Sequence, residues 1–296
     1  MPAPKQRLTP DEIRKIVLTA VAADDVLVEQ LVLKGGNALD LVHDVGRRSS
    51  FDVDYSIASG DFEDSADAAR RLERSLIQRF DAAGYVAFDY RFEQRPPIVG
   101  PDEQPTWGGY RASFKLLPRE VADRFRGSIE KMRFNAVTTG EGENRTYEIE
   151  ISKNEYCEGK EEVELDAFKF YVYTPAMIAA EKLRAICQQD TSCRAHPAPR
   201  ARDFYDIHAI ASEKRLDLGT PQHLELLKRM FEVKEVPFDL LTKIAERKEF
   251  HRAGWPKVEQ EVRERRTLQD FDAYFEFVVK LAARLHALGV EQPPLS

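Results

Sequence analysis

The chain predicts an α/β (α+β) fold: a mixed sheet with flanking helices and a mainly helical C-terminal half. Three observations lead there. Short alternating or apolar runs recur between residues 31 and 173, as half-buried strands require. Helical periodicity takes over at Thr174 and holds almost to the end. No repeat or low-complexity segment interrupts either region.

The elements follow in order. "LTPDEIRKIVLTAVA" opens with Thr9, Pro10 and Glu12, a capping box with proline at the first helical position, so an amphipathic helix should follow. "EQLVLKGG" reads as a short buried strand ending in glycines, and "NALDLVHDV" as a short helix. "FDVDYSI" alternates as a strand does. "DSADAARRLERSLIQRFDAAGY" is a long helix ending at Gly84. "VAFDYRF", "GYRASFKLL", "RTYEIEIS" and "AFKFYVYT" are strands, and "REVADRFRGSIEKMRFNA" is open between helix and strand. The expected division is residues 1–173 and 174–296, with the loop "QQDTSCRAHPAPR" as an alternative boundary.

At 296 residues the chain suits one large domain or two smaller ones; 43% hydrophobic and 32% charged residues supply a core and a solvated surface. No apolar run approaches the ~20 residues of a membrane span. The polar N-terminus lacks the apolar stretch of a secretory signal, and three cysteines are too few for a disulfide framework, so the cytoplasm is expected. A net charge of −7 argues against nucleic-acid binding by the surface as a whole, while leaving room for local basic patches at Arg70–Arg79, Arg194–Arg202 and Arg263–Arg266.

"KGGNALDLVHDVGRRSSFDVDYS" carries the chemistry. On an extended strand Asp52, Asp54 and Ser56 share one face, the two carboxylates about 7 Å apart. Like charges this close repel unless a cation lies between them or one is protonated. Oxygen donors of this kind suit Mg²⁺ or Mn²⁺ holding substrate phosphates; a hydrated strand edge is the other reading. Gly35 and Gly36 follow an apolar strand and precede a helix, where backbone can approach a phosphate, or simply turn. In "TPAMIAAEKLRAIC", Lys182 sits among Ile178, Ala179, Ala185 and Ile186 on its helix. It needs an anion, or must snorkel to water. In "RARDFYDIHAIAS", Asp203 and Asp206 share a helical face. In "RTYEIEIS", Glu148 and Glu150 alternate with Ile149 and Ile151; Glu150 is a candidate third carboxylate, or solvent-facing. Cys187, Cys193 and His196 fit no zinc spacing, and His43 reads as packing or surface.

Taken together, Lys34-Gly35-Gly36-Asn37-Ala38-Leu39, Arg48-Ser49-Ser50-Phe51-Asp52-Val53-Asp54-Tyr55, Glu181-Lys182-Leu183-Arg184-Ala185 and Arg202-Asp203-Phe204-Tyr205-Asp206 resemble the motifs of the AbiEii/AbiGii-type toxins. These are MenT-like enzymes within the DNA polymerase β-type nucleotidyltransferase superfamily. Asn37, Val53 and Tyr55 stand where that family typically has threonine, leucine and phenylalanine. The resemblance implies a nucleotidyltransferase-like fold and a toxin of a toxin–antitoxin system. It implies transfer of NMP from NTP to an RNA, a tRNA 3′ end foremost, and a cognate antitoxin. By the same match, Asp52, Asp54, Lys182 and Asp203 are catalytic. Lys34, Gly35, Gly36, Ser50 and Lys182 are expected to bind nucleotide and Asp52 and Asp54 to hold Mg²⁺ or Mn²⁺, with Glu150, which lies outside these motifs, the candidate third carboxylate from the alternation of its strand. The Arg194–Arg202 loop joins the two motif-bearing helices, a place for RNA phosphates. A kinase-like phosphotransferase acting on a protein and a non-catalytic binding module are the rival readings.

Overall fold

The structure is a computed structural model and describes residues 8–46, 52–97, 107–139, 144–262 and 265–291. Its strands are β1 (Leu31–Lys34), β2 (Val53–Ile57), β3 (Tyr85–Arg95), β4 (Gly109–Pro118), β5 (Tyr147–Ser152), β6 (Glu161–Leu165) and β7 (Phe168–Val172). Its α-helices are α1 (Pro10–Ala22), α2 (Leu27–Gln30), α3 (Gly35–Asn37), α4 (Ser65–Ala82), α5 (Arg119–Arg124), α6 (Ile129–Asn135), α7 (Pro175–Cys187), α8 (Ala201–Glu213), α9 (Pro221–Glu232), α10 (Lys248–Arg252), α11 (Trp255–Glu261) and α12 (Phe271–Glu291). The chain forms two compact units: Met1–Leu33 with Phe51–Lys153 and Glu162–Tyr171, and Lys34–Ser50 with Asn154–Glu161 and Val172–Ser296.

The first unit is built on the sheet, whose order is β3-β4-β5-β2-β1-β7-β6. β2 and β5 run parallel, while β4 is antiparallel to both β3 and β5. The α/β expectation holds. Its apolar face comes from alternation: Val53, Tyr55, Ala112, Phe114, Ile149 and Ile151 are buried, and the residues between them are mostly half-buried or exposed. Each fully buried large side chain contributes roughly 1.5–3 kcal/mol. α1 begins with the expected capping box, in which the Thr9 side chain accepts from the Glu12 N–H and the Glu12 carboxylate accepts from the Thr9 N–H. α4 starts at an Asp64 cap, packs against α1 and β3, and buries Leu72, Leu76 and Phe80.

One segment left open takes a definite form, and one strand was not expected. "REVADRFRGSIEKMRFNA" folds as the short helices α5 and α6, because its apolar residues have neither strand alternation nor a continuous helical stripe. β6 was not foreseen: its "EEVEL" is acidic, and a sequence this polar signals a strand only when a partner strand is known.

The second unit is helical, as expected from Thr174 onward. Threonine-proline starts recur at Thr174 and Thr220, each hydroxyl accepting from the N–H three residues on. Its aromatic centre is Phe204, fully buried, with ring centroids of Phe275 at 5.3 Å, Phe271 at 5.5 Å and His251 at 5.1 Å. The glycine turn also belongs to this unit: α3 passes directly into a π-helical turn, Ala38–Val42.

Candidate functional site

In the first unit, Asp52 immediately precedes β2, and Asp54 lies in it. β5 runs alongside with Asp54 in register with Glu150 and Val53 with Ile149. Adjacent strands lie about 4.8 Å apart, so the Asp54 and Glu150 side chains are neighbours on one face. That face is open at its Asp52 end, where Asp52 and Glu150 are exposed and Asp54 half-buried, and closed at Ser56, which is buried. β4 adds a cation: Arg111 stands opposite Glu150, and its Nη1 lies 3.3 Å from Glu148 Oε1. The donor set is all carboxylate oxygen, the chemistry that suits Mg²⁺ or Mn²⁺. Among the described residues no three His, Cys, Asp or Glu side chains form a ready ligand set. Mg²⁺ does not require one, since it is commonly held by one or two carboxylates with water and substrate phosphates completing the shell. Asp54 with Glu150, and Asp52 beside them, fit that pattern.

In the second unit, Gly35 adopts φ +69°, a left-handed conformation that other residues rarely take, and Gly36 continues into the helical turn. Lys34, just before them, is buried, and its Nζ lies 2.6 Å from Glu181 Oε1 and 3.6 Å from Glu155 Oε1. Glu155 is a hub: Arg184 approaches it at 3.1 Å and Lys234 at 3.3 Å. Burial alone would raise the Glu155 pKa, but Arg184, Lys34 and Lys234 reverse this and bring it down to about 2. Burial likewise works against the Lys34 charge, yet Glu155 and Glu181 hold its pKa above the usual lysine range. Three cations gather at Glu155, and burial takes the Lys234 pKa down to about 8.

A separate cluster of the same unit surrounds Lys182. It is buried at 8% exposure, so it does not snorkel, and its Nζ lies 2.9 Å from Asp203 Oδ1 and 2.7 Å from Asp206 Oδ2. Arg200 reaches Asp203 Oδ2 at 2.7 Å. Burial would raise the Asp203 pKa; Arg200 and Lys182 together take it below the usual carboxylate range. His251 completes the cluster, its Nδ1 accepting from the Arg200 backbone N–H at 3.1 Å. Burial, with Arg247 adding to it, brings the His251 pKa down to about 4, so the ring is neutral.

The remaining expectations fall as follows. Arg48, Ser50 and Phe51 lie outside the described residues. In the Arg194–Arg202 loop, Arg200 is paired with Asp203 and Arg202 with Glu261, so two of its arginines already have internal partners. Buried His43 packs: its Nε2 donates to the Tyr173 carbonyl at 2.7 Å. Cys157, Cys187 and Cys193 are free thiols, and burial pushes the Cys187 pKa up. Sequence reasoning missed Glu155, Lys234, His251 and Arg111. Only Arg111 had a local signal, its alternation with the buried Ala112 and Phe114. The others acquire their roles from residues distant in the chain.

The fold is that of a nucleotidyltransferase. A candidate nucleotidyltransferase from H. pylori superposes with a TM-score of 0.50 at 16% identity, over 98% of this chain and 98% of that one. JHP933 from Helicobacter pylori gives 0.47 at 16% identity over 98% and 95%. An antigenic nucleotidyltransferase-like protein from Paracoccidioides brasiliensis gives 0.38 at 15% over 80% and 94%. The family of the nucleotidyl transferase AbiEii toxin, of type IV toxin–antitoxin systems, matches residues 16–277, and the chain belongs to it. It is therefore a nucleotidyltransferase of a toxin–antitoxin system, and membership implies an NTP substrate and an antitoxin partner. No curated protein matches the sequence. Among the described residues, no helix is long and apolar enough to cross a membrane.

Proposed function

We propose that the enzyme moves a nucleoside monophosphate from an NTP to the 3′ hydroxyl of an RNA, a tRNA 3′ end foremost, in the cytoplasm and under the control of a cognate antitoxin. The observation that carries this reading is the pairing of Asp54 with Glu150 on the open sheet face, with Asp52 beside them. Asp52, Asp54 and Glu150 would hold Mg²⁺ or Mn²⁺. Bound there, the ion would align the triphosphate and offset charge at the α-phosphate. The acceptor oxygen forms a bond to the α-phosphorus, the bond from that phosphorus to the bridging oxygen breaks, pyrophosphate leaves and the hydroxyl proton passes to solvent. Gly35, Gly36 and Ser50 would seat the β and γ phosphates, with backbone N–H groups as donors. Lys34, whose ammonium is ion-paired with Glu181 and Glu155, would anchor the residue that enters that turn. Lys182 would neutralise the triphosphate as a point charge. Asp203, whose carboxyl is held in its ionised form by Arg200 and Lys182 after the cost of burial, suits orienting Lys182 better than accepting a proton.

The test is incubation of the protein and RNA with NTPs labelled at the α or the γ position, with and without Mg²⁺. Label from the α position on RNA, lost with EDTA and in Asp54→Asn, is the expected result. Label from the γ position on protein would replace this reading with a phosphotransferase. Unchanged toxicity of Asp54→Asn in growing cells would replace it with a binding module.

A further inference from the structure

We infer that α6, with the cationic strip of β3 and β4 beside it, is the seat of the single-stranded RNA acceptor; this rests on the RNA reading above. α6 has no buried residue. A bidentate ion pair anchors it, with Arg133 Nε and Nη2 at 2.9 and 2.6 Å from the Asp89 carboxylate, and the chain just after it is stitched to β4 where the Val137 N–H donates to the Leu116 carbonyl. Asp89 sits at a bulge in β3 with φ +56°, which lets it leave the strand's regular alternation. The helix is thus held in place without using its apolar side chains.

Those side chains face solvent. Phe134 is 77% exposed and Ile129 39%. They lie five residues apart, on different sides of the helix, so they do not make the continuous apolar stripe that a protein partner's groove would need. Phe134 stands instead among charge. Residues 124–134 carry four cations and one carboxylate in a chain of net charge −7. Arg126 and Lys131 are exposed, Arg126 with its Nη2 3.7 Å from Asp123 Oδ1 in a solvent-facing pair that a phosphate can displace. On the sheet, Arg91 is in register with Ser113 and Glu93 with Arg111, so Arg91, Arg111 and Lys115 share the polar face with Glu93, Glu148 and Glu150, where Arg111 is engaged by Glu148 and Glu93 and the cations nearest Asp89 are Arg91 and Lys115. Arg133's hydrogen bonds hold the Asp89 carboxyl below its usual range against the cost of burial, and Arg91 and Lys115 add to the effect, so one carboxylate meets three cations. An isolated aromatic ring among cations is what a single strand uses, the bases stacking and the phosphates pairing. A duplex would be read by shape and backbone instead.

Topology gives the second reason. β4 runs antiparallel to β5, and β5 parallel to β2. The C-terminal end of β4, from which α5 and α6 emerge, therefore lies at the sheet end where β5 and β2 begin, the end that carries Asp52. A strand of RNA seated on α6 would run along the cationic edge toward the carboxylates.

The test uses the full chain, a fluorescently labelled single-stranded RNA, a salt series, photo-crosslinking with peptide mapping, and separate KM values for RNA and NTP. Phe134→Ala should weaken RNA binding roughly tenfold, the loss of one stacked base, and raise the RNA KM with the NTP KM unchanged; Phe134→Trp should restore both. Arg126→Ala with Lys131→Ala should reduce the slope of log affinity against log salt by about 1.4, two contacts at about 0.7 each. Crosslinks should fall within residues 124–134. If wild type transfers NMP to RNA but crosslinks map elsewhere and the variants behave as wild type, the α6 seat is wrong and the RNA reading stands. Crosslinks on α6 without transfer keep the seat and sink the reaction. No RNA binding removes both. Loss of a dimer or of antitoxin binding in Phe134→Ala, with RNA affinity intact, assigns this surface to a protein and overturns the proposal.

Discussion

Replacing Glu155 with glutamine keeps the side chain's shape and removes its charge from beneath Lys34, Arg184 and Lys234, which lie 3.6, 3.1 and 3.3 Å away. Its folded-state pKa is about 2 against an ordinary 4.5, burial opposing and the three cations more than offsetting it. At about 1.36 kcal/mol per pKa unit, this difference makes the ionised carboxylate worth about 3 kcal/mol to the folded state at pH 7. The independent expectation for breaking a buried ion pair is about 3–5 kcal/mol, because the partner charges remain buried without compensation. The sign follows from a depressed carboxylate pKa: the contribution is complete above pH 4.5 and is lost as pH falls toward 2. The gap between wild type and Glu155→Gln should thus shrink by about half at pH 3. The assay is urea denaturation read by amide exchange in α7, which carries Glu181 and Arg184. Because burial already works against the Lys234 charge, its pKa down to about 8, adding Lys234→Met should recover part of the loss. A gap below 1 kcal/mol at pH 7, or one that does not change with pH, would refute the buried-hub account.

Four further outcomes are expected. His251 is neutral in the folded state, its pKa about 4 against 6.5, so acid protonates the unfolded chain first; stability should fall by about 2 kcal/mol between pH 7 and 5, and His251→Asn should remove that slope in urea titrations. Gly35→Ala, at φ +69°, should cost about 1–2 kcal/mol, seen as a lower Tm, and should raise the NTP KM. Asp54→Asn should lower NMP transfer more than about 100-fold, and Glu150→Gln should shift the Mg²⁺ dependence of the rate to higher concentration; an unshifted Mg²⁺ curve in Glu150→Gln would remove Glu150 from the ion's ligands.

Legibility divides along one physical line. Features set by neighbours in the chain were readable: the Thr9–Glu12 capping box, the Thr174 cap, the alternation that buries Val53 and Tyr55, and the glycine turn with Gly35 at positive φ. The pairing of Asp54 with Glu150 was half readable, since each strand announced its polar face but not its neighbour. Glu155 was not readable: "SKNEYCEG" has no periodicity, and its role depends on cations 29 to 121 residues away in the chain.

Lys182 shows what that limit means for the chemistry. Its apolar neighbours on α7 require an anion, and helix geometry cannot choose between a phosphate, a metal-site carboxylate and a local acid. Asp203 and Asp206 at 2.9 and 2.7 Å satisfy the requirement without any ligand. The cluster is therefore preorganised, and removing Asp203 or Lys182 acts on folding as well as on turnover. Lys182→Met alone takes the lysine from two buried carboxylates, of which Asp203 keeps Arg200, whereas Lys182→Met with Asp203→Asn and Asp206→Asn removes all three of these charges and leaves only Arg200 to find a new partner. If Lys182 is only structural, the triple variant should regain activity along with stability. If it also neutralises the triphosphate, the triple variant should regain stability and remain inactive, with its NTP KM raised.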